Sequence, residues 1–71
     1  MKVTVEYHGQ MRAAMGRARE EIEVPDGCTV GKIMRARNLK GLMFIGANQV
    51  DEQKALKDGD VVILISPIAG G

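Results

Sequence analysis

The residues SPIAGG, Ser66 to Gly71, follow the apolar run VVILI and bring the sequence to an end on Gly70 and Gly71. Glycine has no Cβ and holds a backbone in place less firmly than any other residue, so two in succession suit a segment that is threaded rather than packed. A carboxylate on Gly71 is a poor electrophile, because its charge is shared between its oxygens, yet once activated it stands on an unhindered backbone. Pro67, with φ near about −65°, and the β-branched Ile68 bias the preceding residues toward an extended shape and limit the entropy lost on insertion into a channel. Gly71 is therefore the candidate reactive residue, and Pro67, Ile68, Ala69 and Gly70 form the candidate threading segment.

Other chemistry-bearing residues are sparse. Cys28 is the single cysteine; it can form neither an internal disulfide nor a Cys-x-x-Cys pair, and it reads either as an acceptor thiol or as a small buried packing residue, with packing favoured. His8 ends an alternating run without a neighbouring Cys or Asp and reads as a surface or packing residue. No bound metal or cofactor is expected. Ten Lys and Arg against nine Asp and Glu give a net charge of +1, interspersed without a basic block, so nucleic acid is not an expected partner. The start MKVTVEYHGQ lacks the apolar core of a signal peptide, and VVILI is far shorter than the ~20 residues of a membrane span. A cytoplasmic protein without membrane association is expected.

These residues must be positioned by one small domain. With 71 residues, 45% hydrophobic and two aromatics, the core has to be aliphatic and shared by the whole chain. KVTVEY alternates Val3, Val5 and Tyr7 with polar residues, the period of a strand with one wet face. Gln10 to Met15 can form a short helical turn stopped by Gly16. RAREEIEV alternates again, with Ala18, Glu20, Ile22 and Val24 on one face, and Pro25-Asp26-Gly27 breaks it. Thr29 can cap a helix whose apolar residues Val30, Ile33 and Met34 share a face, ending near Asn38. LMFIGAN reads as a central strand, ANQV turns it toward a short strand at Val50, and VVILIS is a second buried strand stopped by Pro67. The order predicts an α+β fold, a mixed sheet with one main helix packed on one face, over residues 1–66, with residues 67–71 an extended tail.

The stretches VPDGCTVGKIM, LKDGDVVILISPIAGG and, more weakly, IGANQV resemble the ubiquitin-like sulfur carriers. That family includes the molybdopterin synthase small subunit, the thiamin-pathway sulfur carrier and the related small archaeal protein modifiers. The resemblance runs along essentially the whole chain and implies a ubiquitin-like β-grasp fold. One departure is Gln49, where family members commonly have Gly after the Asn.

The resemblance further implies that the protein is a substrate and carrier rather than an enzyme. An adenylating enzyme of the ubiquitin-activating type would use ATP to convert the Gly71 carboxylate to an acyl-adenylate. A persulfide donor would then leave a thiocarboxylate for a downstream acceptor such as a molybdopterin synthase large subunit, whereas a lysine amine would give an isopeptide bond to a substrate protein. A β-grasp module that binds without covalent change is the third reading. Ubiquitin-like folds dock through the outward face of the last strand, which by resemblance is Val61, Ile63 and Ile65, with Val62 and Leu64 inside. Met43 on the adjacent strand and Ile68 in the tail are expected to extend that patch, and a homodimer interface is its alternative use.

Overall fold

The computed structural model describes residues 1–66. The proposed tail, 67–71, lies outside the described residues. Along the chain run β1 (Lys2–His8), α1 (Gln10–Met15), β2 (Arg19–Glu23), α2 (Val30–Ala36), β3 (Leu42–Ile45), β4 (Asn48–Val50) and β5 (Val61–Ile65). The strands form one sheet in the order β2-β1-β5-β3-β4. β1 and β5 are parallel, and every other pairing is antiparallel.

Each element has a local cause. Period-two alternation buries Val3, Val5 and Tyr7 on one face of β1, while Lys2, Thr4 and Glu6 take the other. Helix α1 lies between the two antiparallel strands of the first hairpin and ends at Gly16, whose left-handed backbone sends its N–H back to Arg12. Thr29 caps α2, its hydroxyl accepting the Lys32 N–H at 3.4 Å. From α2, Val30, Ile33 and Met34 enter the same core as Val3, Val5, Tyr7, Val62 and Leu64. The helix therefore covers one face of the sheet and leaves the other open.

Two details differ from the sequence expectation. The most central strand is β5, with β3 one place further out. The β3–β4 turn is centred on Gly46-Ala47, one residue before ANQV and on its first residue, so that Asn48 and Gln49 already belong to β4; Gly46 supplies the positive φ of 63° that a tight hairpin loop needs. Gln49 is thereby carried into β4, opposite Phe44, and the missing Gly at that position leaves the turn unaffected.

Candidate docking face and tail exit

β5 leads directly to the tail, so its alternation decides what lies beside the segment proposed for threading. Val62 and Leu64 are fully buried under the helices, and Val61, Ile63 and Ile65 are partly buried on the open face. Register fixes their neighbours, since residues directly opposite in a sheet share a face. Ile63 stands between Glu6 and Phe44, Ile65 stands between His8 and Leu42, and Val61 stands beside Thr4.

Met43 does not belong to this face. It pairs with the buried Leu64 and packs against the core from the helix-covered side. The continuous apolar run LMFI carries no alternation from which its parity can be read, and a slip of one residue exchanges the faces. Phe44 and Leu42 occupy the place expected for Met43, and among the described residues Leu42 is the large apolar residue most open to water, at 43% exposure. The signal that finds them is the pairing with β5, which composition does not contain.

The open face is divided by chemistry. Over β5 and β3 it is apolar, and over β1 and β2 it is polar, with the charged residues Lys2, Glu6, Arg19, Glu21 and Glu23 beside Thr4 and His8. Glu6 sits at the boundary, 3.3 Å from His8 Nε2 and 3.9 Å from Arg19 Nη2. An apolar strip with a charged margin suits a protein partner that buries the strip and fixes its orientation at the margin.

The chain leaves the sheet at Ser66 beside His8 and Leu42. Gly41 allows the segment before β3 to lie against this end: a Cβ there would collide with the carbonyl oxygen of Ile65 and come within 2.8 Å of Met11 Cε. α1, β3 and β5 are thus drawn together where the tail begins. Pro67, Ile68, Ala69, Gly70 and Gly71 themselves lie outside the described residues.

The remaining chemistry-bearing residues sit elsewhere. Cys28 is buried in the core, in the segment before α2, and points its Sγ toward the Thr29 carbonyl at 3.6 Å. On the covered side, Arg37 donates from Nε to Tyr7 Oη at 3.0 Å and from Nη2 to Glu20 Oε1 at 2.8 Å. The hydrogen bond from Arg37 holds Glu20 below the usual carboxylate range against the opposing effect of burial, and burial pushes the Tyr7 phenol up. This trio ties the end of α2 to β1 and β2. Among the described residues no group of three His, Cys, Asp or Glu is placed to hold a metal ion, and no helix is long and apolar enough to cross a membrane.

Three solved structures share the fold. SAMP1 from Haloferax volcanii matches with a TM-score of 0.83 at 16% identity, covering 100% of both chains. The Haloferax volcanii HVO 2177 protein matches with a TM-score of 0.84 at 23% identity over 100% of this chain and 87% of its own. A Pyrococcus furiosus protein described as molybdopterin converting factor, subunit 1, matches with a TM-score of 0.80 at 25% identity over 96% of this chain and 99% of its own. The architecture is therefore the ubiquitin-like β-grasp. No curated protein matches the sequence. The model of the ThiS family matches residues 5–71, from the middle of β1 through every later strand and helix to the two final glycines, and the chain belongs to the ThiS family.

Proposed function

We propose that this protein is a sulfur carrier whose Gly71 carboxylate is adenylated by an ATP-dependent enzyme of the ubiquitin-activating type and then converted to a thiocarboxylate. The observation that carries the reading is the extent of the family match, which runs through Gly70 and Gly71 rather than stopping at the folded domain. A carboxylate oxygen of Gly71 attacks the α-phosphate of ATP and pyrophosphate leaves. The outer sulfur of a donor persulfide then attacks the acyl carbon and AMP leaves. A thiol reductant cleaves the resulting S–S bond, taking up the donor sulfur in a disulfide and releasing the thiocarboxylate. The chain supplies the group that is carried, and its partners supply the catalysis.

The open apolar face is the surface on which the activating enzyme docks, with Val61, Ile63, Ile65, Phe44 and Leu42 as its contact residues. The same carrier would later present its sulfur to an acceptor such as a molybdopterin synthase large subunit. Conjugation of Gly71 to substrate lysines is the second reading, supported by the archaeal modifier among its structural neighbours; it shares the adenylation step and differs only in the nucleophile.

Deletion of Gly71, or Gly70→Leu, tests the shared step in ATP–pyrophosphate exchange with the matched activating enzyme. Both variants are expected to lose exchange while melting within about 4 °C of the parent, the shift that a change of about 0.5 kcal/mol produces in a domain of this size. Undiminished exchange would contradict the assignment of Gly71.

A further inference from the structure

β2 stands at the edge of the sheet and pairs only with β1 among the described residues. The Val24 N–H donates to the Met1 carbonyl and the Met1 amine to the Val24 carbonyl, each at 2.8 Å, and the Tyr7 N–H donates to Ala18 at 2.8 Å. Hydrogen-bonded and non-hydrogen-bonded pairs alternate along an antiparallel ladder. Ala18, Glu20, Ile22 and Val24 therefore direct their backbone groups at β1, and Arg19, Glu21 and Glu23 direct theirs at the free edge. Beside that edge, between β2 and α2, lies a groove of about 380 Å³ whose apolar lining includes Ile22, Val24, Ile33 and Ala36, with Lys32 on its helix side.

We propose that this edge and groove accept an extended peptide as an added strand, one in which apolar residues alternate with basic ones. Strand addition supplies main-chain hydrogen bonds, and alternate side chains supply specificity. On the covered side the incoming apolar residues enter the groove, where Lys32 disfavours a second cation. On the open side the incoming residues stand next to Glu21 and Glu23. Glu21 has no ion pair among the described residues, and Glu23, 76% exposed, shares only the N-terminal amine at 3.7 Å. Basic residues complete this edge. A second copy's β2, REEIE, paired about Glu21, would set that carboxylate against itself and bring only Arg19 to Glu23, so a different chain with a cation at each of these positions complements the edge more fully. The edge near Glu23 pairs with Lys2, at the opposite end of β1 from His8 and the tail exit. A peptide held there leaves the apolar face over β5 and β3 uncovered.

Amide shifts of the labelled protein, titrated with the capped peptides Val-Lys-Ile-Lys-Val and Val-Glu-Ile-Glu-Val, test the proposal. The basic peptide should bind about tenfold more tightly than the acidic one, with shifts at Glu21, Glu23 and Lys32 and none at Ile63 or Phe44. Reversing both charges, Glu21→Lys with Glu23→Lys, should invert that preference. Glu21→Pro removes an outward N–H while sparing the ladder to β1, and it should weaken binding well beyond Glu21→Gln. If the proline variant fails to fold, the charge-reversed protein still decides the matter. Equal affinity for both peptides, no binding of the basic peptide at about millimolar concentration, shifts confined to the open face, or an unchanged preference after charge reversal would each overturn the proposal.

Discussion

Ile65 and Val62 are both apolar residues of one strand, and the pleat gives them opposite work. Val62 is fully buried against the helices, so Val62→Asp places a carboxylate in the core and should consume most of a stability of roughly 5 kcal/mol, the low end for a small domain. Ile65→Asp and Phe44→Asp meet water and should leave the melting temperature nearly unchanged. Each is expected to weaken docking to the activating enzyme by more than about 1 kcal/mol, the level of an interface anchor. A binding titration and thermal denaturation on the three variants check the assignment of faces. Reversed behaviour of Ile65→Asp and Val62→Asp would mean that the faces are exchanged. VVILI is apolar on both faces and its parity was legible only through the resemblance to ubiquitin-like folds, whereas β3 reads LMFI on both faces and its parity had to come from pairing with β5. That is why Met43 stood for Phe44 and Leu42 in the sequence reading. Glu20 was legible only as the inward member of an alternating strand, because its partners Tyr7 and Arg37 are brought to it by tertiary structure. Its carboxyl is held below the ordinary value of 4.5 by the Arg37 hydrogen bond, so the unfolded chain takes up the proton first on acidification. The stability it contributes is complete above the ordinary value and is lost as pH falls through the folded value. Glu20→Gln should therefore flatten the acid limb of a stability profile measured by urea midpoint, and an unchanged slope would show that the pair carries no linkage.

At the scale of elements, the tail exit depends on packing that no single strand contains. α1, the segment before β3 and the end of β5 meet at Gly41, where a Cβ would strike the Ile65 carbonyl and crowd Met11. Gly41→Ala is expected to cost roughly 1–3 kcal/mol by overpacking, visible as a fall in melting temperature of at least about 4 °C. A variant as stable as the parent would show that this junction has room to relax. Capping and turn chemistry made the elements themselves readable: Thr29 before α2, Gly16 after α1 and the alternation of β1 all act over a few residues. The order of strands was less accessible. The parallel pairing of β1 with β5 joins residues at opposite ends of the chain, and local sequence carries no trace of it beyond the resemblance to a known fold.

For the whole molecule, the proposed reactive residue Gly71 lies outside the described residues 1–66. Among the described residues the buried core runs from Val3 to Leu64, and the family match continues to Gly71. Under the proposed function the open face serves partners while chemistry takes place at Gly71. The most direct test is the intact mass of the protein isolated from its own cells, followed by fragmentation of its C-terminal peptide. Sulfur carriage predicts a fraction heavier by the difference between sulfur and oxygen, with the change confined to Gly71 and abolished by its deletion. A terminus found only as the free carboxylate, or only in isopeptide linkage to lysines of other proteins, would contradict it.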